Sequence, residues 1–173
     1  MKPFVLFLYV SLFVFSSCKE HQNSCDLKEE TSTFYFIRHA EKDRSNPSNQ
    51  NPHLNEQGIL RAQKWSKVFK NIPFNAIYST DYNRTRETAS PTSLKNNLEP
   101  IIYNPKTVDI SKLLSDNIGK NVLIVGHSNT IPNLVNTILK KNTYKDINDS
   151  NNANLYIVTI NNNIVTSKLL FID

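Results

Sequence analysis

Apolar positions along the chain come in two rhythms. Short continuous runs alternate with stretches in which apolar residues recur every three or four positions, and this alternation predicts strands followed by helices. Phe34, Tyr35, Phe36 and Ile37 form the first run, rich in the aromatic and β-branched residues that favour a buried strand. Ile59, Ala62, Trp65, Val68 and Phe69 then recur at helical spacing, with Asn55 placed to cap that helix. Phe74 to Ser79 predicts a second strand, and the stretch from Thr80 to Thr92 a second helix capped by Thr80 or Asp81. Ile101 to Tyr103 predicts a third strand, and Val108 to Ile118 a short helix with Ile110, Leu113, Leu114 and Ile118 inward and Gly119 as its stop. The clearest buried parallel strand is Asn121 to Gly126, NVLIVG. Ser128, Asn129 and Thr130 offer caps for a last helix, which tolerates Pro132 in its first turn and turns Leu134, Val135, Ile138 and Leu139 inward. Leu155 to Ile160 and Ile164 to Phe171, separated by Asn161 to Asn163, predict a closing antiparallel hairpin.

Strand and helix alternate through four rounds before that hairpin, which predicts an α/β fold: a three-layer sandwich with a mainly parallel central sheet flanked by helices. Ligands of such sheets bind beyond the carboxyl ends of the strands. Within 173 residues there is room for one domain of this kind, assigned to residues 33–173. Composition adds little beyond Asn-rich turns and very few glycines, three in all. The formal charge is +5, or +4 without Lys2, and Lys and Arg are scattered among Asp and Glu. Neither a basic run nor an aromatic-interleaved stripe is present, so no nucleic-acid partner is expected.

The first 17 residues follow a different rule. One early cation, Lys2, precedes an apolar run from Phe4 to Phe15 and then Ser16, Ser17 and Cys18. That run is short for a membrane span and matches a secretory leader, which predicts export. VFSSC is similar to a bacterial lipoprotein signal, which would make Cys18 the lipidation site and anchor the protein to a membrane, facing the periplasm or exterior. Phe15 stands where that signal usually has a small aliphatic residue, so ordinary cleavage and an uncleaved leader stay open. If Cys18 carries lipid, Cys25 is a lone thiol; otherwise the two could close a short loop. Two Cys without spaced partners are not a metal site. Residues 18–32 are polar and aperiodic, as in a tether.

The candidate chemistry sits where strands end. Arg38 and His39 follow the first strand, Arg84 opens the helix after the second, and His127 follows the NVLIVG strand. His53 belongs more naturally to the loop entering the first helix, with a substrate-facing role as the alternative. Taken alone, Arg84 could be a surface cation paired with Glu87 or Asp81.

Taken together, RHAEK, STDYNRTRETA and VGHSNT resemble the histidine phosphatase superfamily, the group that includes phosphoglycerate mutases and small phosphohistidine phosphatases. The resemblance runs from Thr33 to about Leu139 and implies a phosphoglycerate mutase-like fold. It also implies His39 as the nucleophile that takes the phosphoryl group, with Arg38, Arg84 and His127 forming the rest of the phosphate pocket. The chemistry agrees, because a phosphoryl group in transit spreads negative charge over its equatorial oxygens and needs fixed cations more than covalent help. No metal or cofactor is expected. The cations around His39 should lower its pKa and keep it neutral.

Three departures qualify the resemblance. Thr85 follows the pocket Arg where Ala is common, and the Asn that mutases carry after the nucleophile would have to be replaced by Ser45 or Asn46. A general acid in the usual region is missing, and among Glu99, Asp109 and Asp116 only Asp109 sits at a loop-to-helix junction, where an N-cap is an equally natural role. The same segment is too short for the lid-like insertions of mutases. The expected function is therefore an exported, metal-independent phosphatase acting on a phosphorylated small molecule or phosphopeptide. A non-catalytic phosphate-recognising lipoprotein, or a mutase or other phosphotransferase, is the alternative.

Overall fold

A computed structural model of the protein describes residues 30–173. The leader, Cys18, Cys25 and the tether up to residue 29 lie outside the described residues.

Six strands form one sheet in the order β3-β2-β4-β1-β5-β6. They are β1 (Ser32–Arg38), β2 (Ala76–Ser79), β3 (Ile101–Ile102), β4 (Asn121–Gly126), β5 (Asn154–Asn161) and β6 (Ile164–Phe171). The first four pair in parallel; β5 is antiparallel to β1, and β6 closes the hairpin against β5. Asn162, in the left-handed region at φ 53°, makes the turn of that hairpin.

Alternation along the central strands sorts two cores onto the two faces. Phe34, Phe36, Val122 and Ile124 point to one face, where Leu134, Val135 and Ile138 of α4 (Thr130–Leu139) cover them. Ile37, Ile77, Leu123 and Val125 point to the other, against Trp65 and Phe69 at the end of α1 (Glu56–Val68) and Ala89 of α2 (Asn83–Asn96). Each of the large side chains buried there contributes about 2–3 kcal/mol of transfer free energy. The three-layer sandwich with a mainly parallel sheet, expected from the strand and helix pattern, is what the chain adopts.

Local boundaries differ where side chains found other partners. Asn55 caps α1 as expected, its Oδ1 accepting from Gly58 N at 2.8 Å. Neither Thr80 nor Asp81 caps α2, which begins after Tyr82 and runs through Pro91. Thr80 is committed to Thr85 and His127, and Asp81 to Arg86. The short α3 (Ile110–Ser115) buries Leu113 but leaves Ile118 exposed, because the helix ends before reaching it.

Gly58 fixes how closely α1 approaches the turn after β1. A Cβ at this position would lie 2.1 Å from the carbonyl oxygen of Glu41, which itself accepts from Asn55 N at 3.0 Å. The helix therefore rests on the turn that carries His39.

Candidate active site

The parallel strands end in a common cleft of about 1230 Å³ whose lining includes Arg38, His39, Lys42, Arg84, His127 and Asp149. The four residues singled out in three separate motifs thus converge. The ring centroids of His39 and His127 are 5.5 Å apart, and Tyr82 meets the His127 ring edge-on at 5.1 Å.

His39 is nearly fully buried at the end of β1. Its Nδ1 lies 2.7 Å from the carbonyl oxygen of Ala40. A carbonyl only accepts, so in the neutral ring Nδ1 carries the proton and Nε2 keeps its lone pair. Burial, and then the Arg38 and Arg84 guanidiniums, lower the His39 pKa to about 3, although the Ala40 bond works in the opposite direction. The neutral ring expected from the surrounding cations is therefore present, with desolvation as the larger cause. Two bonds hold the turn: Ala40 N donates to Thr88 Oγ1 at 2.8 Å, and Asn152 Nδ2 donates to the His39 carbonyl at 2.7 Å.

His127 is fixed from the other side. Arg84 Nη2 lies 3.5 Å from His127 Nδ1, and Thr80 Oγ1 lies 2.9 Å from Nε2. Because a guanidinium only donates, the neutral ring turns its lone pair to Arg84 and donates through Nε2 to Thr80. Thr80 Oγ1 in turn donates to Thr85 Oγ1 at 3.0 Å, which donates to backbone carbonyls. Thr85, a departure at the sequence level, is thus the end of a hydroxyl relay that orients His127. Burial, followed by Arg84, Arg38 and Lys42, lowers the His127 pKa to about 4.

The two guanidiniums differ. Arg84 leans over the Tyr82 ring at 4.3 Å, while its Nε and Nη1 are buried without a hydrogen-bond partner among the described residues. Neither surface partner considered for it is used, since Glu87 binds His53 and the Leu54 amide, and Asp81 binds Arg86. Arg38, by contrast, is heavily engaged. Its Nη1 donates at 3.0 Å to each of the carbonyls of Asn148, Asp149 and Asn151, and its Nη2 meets the Asp149 carboxylate at 2.5 Å. Only Nε is left, buried and without a partner among the described residues.

Asp109 is not brought to the cleft. Its carboxylate accepts from Lys112 N at 3.0 Å and caps α3, the alternative role the sequence already offered. Ser45 and Asn46 sit in local turns, where Ser45 N donates to Asp43 Oδ1 and Ser48 N donates to Asn46 Oδ1. Glu41 pairs with Arg61 at 2.7 Å, whereas Lys42 and Arg44 line the space beside His39. Sequence reasoning passed over Thr80, Thr88, Asp149 and Asn152. Thr80 and Thr88 lie within recognised motifs, but the 148–152 loop gave no signal, being one Asn-rich stretch among several. Among the described residues no group of His, Cys, Asp and Glu could hold a metal ion, and no helix is long and apolar enough to cross a membrane.

By sequence, residues 34–110 match the model of the histidine phosphatase superfamily (branch 1), a stretch that holds the RHAEK and STDYNRTRETA motifs. No match was found among curated protein sequences. Similar solved structures include a mycobacterial glucosyl-3-phosphoglycerate phosphatase, with TM-score 0.65 and 13% identity over 82% of this chain and 98% of that one. The protein histidine phosphatase SixA complexed with tungstate has TM-score 0.63 and 13% identity, covering 80% of this chain and 96% of that one. A phosphoglycerate mutase from Bacillus anthracis has TM-score 0.64 and 16% identity, covering 82% and 93%. At these identities the likeness concerns the fold.

Proposed function

With the histidine phosphatase superfamily match and the phosphoglycerate mutase-like fold as premise, we propose that this protein hydrolyses a phosphomonoester or phosphoramidate through a phosphohistidine on His39, without a metal. One observation carries the reading. The Nδ1–H of His39 is committed to Ala40, so a lone pair on Nε2 is left in a cleft shared with Arg38, Arg84 and His127.

In the first step the Nε2 lone pair attacks phosphorus and the bond to the leaving group breaks. In the second, water attacks phosphorus, the P–N bond breaks, and inorganic phosphate leaves with His39 restored. Nε and Nη1 of Arg84, which have no hydrogen-bond partner among the described residues, supply donors for the equatorial oxygens. Burial and then the neighbouring cations depress His127; a bound anion offsets the cationic part and favours the protonated ring, which can add a charge-assisted bond. With Asp109 capping α3, no carboxyl acid is assigned, and leaving groups that depart readily suit the site best.

Hydrolysis is favoured over mutase chemistry because the cleft is open. Tyr82 and Asp81 on its rim are exposed, and water can reach the intermediate. We extend the proposal to export and membrane anchoring through Cys18, on the strength of the leader pattern alone. Incubation with a labelled phosphomonoester should trap an acid-labile, alkali-stable adduct that is absent from His39→Ala. Full turnover by that variant would refute the mechanism. Oxyanion binding with no phosphate release over long incubation would favour the non-catalytic alternative.

A further inference from the structure

The phosphoryl site already contains an anion of the chain's own. One Asp149 carboxylate oxygen meets Arg38 Nη2 at 2.5 Å and the other meets Arg44 Nη2 at 2.7 Å. The residue lines the main cleft and also a second cavity of about 380 Å³, which shares His39 and Lys42 with the cleft. A carboxylate bridging two guanidiniums beside a phosphate-binding histidine occupies the donors that an incoming oxyanion would take.

This carboxylate is not needed to orient Arg38. Three backbone carbonyls, from Asn148, Asp149 and Asn151, already hold Nη1, and none of these contacts uses the Asp149 side chain. The loop itself is pinned at both ends, by Ile147 N donating to Ser128 O at 2.8 Å and by Asn152 Nδ2 donating to His39 O at 2.7 Å. Between those anchors the Asp149 side chain is 66% exposed, so it can rotate outward while the loop backbone stays. Once it leaves, Arg38 Nη2 and the half-exposed Arg44 become donors beside His39 in addition to those of Arg84.

We propose that Asp149 is an affinity-determining residue of the phosphoryl site, its carboxylate competing with substrate and product oxyanions for the Arg38 and Arg44 guanidiniums. The inference rests on the phosphate-binding reading given above. Its consequence is weaker binding of both substrate and inorganic phosphate, and faster product release. If the carboxylate occupies these donors in about nine-tenths of the molecules, apparent affinity falls about tenfold below intrinsic affinity.

The test is calorimetric titration of the full 173-residue chain with inorganic phosphate and with tungstate. Asp149→Asn should lower both dissociation constants about tenfold, while Asp149→Glu, which keeps a carboxylate, should stay near wild type. Adding Arg44→Gln to Asp149→Asn should remove part of the gain. Asp149→Ser is scored by the same criterion if the Asn variant is poorly folded. Unchanged or weaker oxyanion binding in a folded neutral variant, with wild type binding normally, overturns the competition alone. Absence of binding in both wild type and neutral variants overturns the phosphate-site reading and this inference with it.

Discussion

Replacing Gly58 by Ala sets two physical effects against each other. On propensity, Ala in a helix is worth about 1 kcal/mol more than Gly, so an exposed helix would gain stability. Here the new Cβ would lie 2.1 Å from the Glu41 carbonyl oxygen and 3.0 Å and 3.1 Å from the Glu41 carbonyl carbon and amide nitrogen. These are backbone atoms, so the turn must move by more than about 1 Å to reach ordinary contact. Overpacking of this kind costs about 1–3 kcal/mol, and loss of the Asn55 N to Glu41 O bond adds about 1 kcal/mol. Against the gain of about 1 kcal/mol, the net is a destabilisation of roughly 2 kcal/mol, or a fall in Tm of roughly 4–8 °C for a chain of this size. Because the turn begins at His39, kcat should fall as well. Thermal unfolding followed by circular dichroism reads the sign directly: a Tm equal to or above wild type would refute the argument that α1 presses on the turn that carries His39.

Two further outcomes follow from the same geometry. Both pocket imidazoles have folded pKa values, about 3 and about 4, below the ordinary 6.5, so between these values the unfolded chain binds more protons than the folded one. Stability conferred by the neutral rings is complete above pH 6.5 and is lost as pH falls through about 4 for His127 and about 3 for His39. Between pH 6.5 and 5, where few carboxylates titrate, Tm should fall, and the double variant His39→Ala/His127→Ala should flatten that slope; an unchanged slope would show that the rings are not held neutral. Asp109→Ala should remove the α3 cap, costing about 1 kcal/mol, and leave kcat unchanged. A large loss of kcat at unchanged Tm would return that carboxylate to the chemistry.

Much of the fold was legible because its signals are local. NVLIVG and the aromatic run before Arg38 are strands by run length, and the spacing of Ala62, Trp65 and Phe69 permits only a helix. The four pocket residues were legible through the resemblance of three motifs taken together, and their convergence was expected because each motif follows a strand and parallel sheets gather strand ends on one edge. Side-chain competition was not legible. Thr80 looked like a helix cap, and only the folded chain shows its hydroxyl drawn to His127. Asp109 could be an acid or a cap, and the choice depended on whether the short α3 lay near His39. Asp149 was invisible, because its contact with Arg38 spans 111 residues and comes from an Asn-rich loop without periodicity. Such encounters are written in the packing of distant segments, which no local pattern encodes.

The central claim is that His39 presents Nε2, and not Nδ1, to phosphorus. Phosphorus NMR of the adduct trapped from a phosphomonoester, with the modified peptide identified by mass spectrometry, distinguishes the two ring isomers. The account predicts a phosphoryl group on Nε2 of His39. A phosphoryl group on Nδ1, or on any residue other than His39, would contradict it.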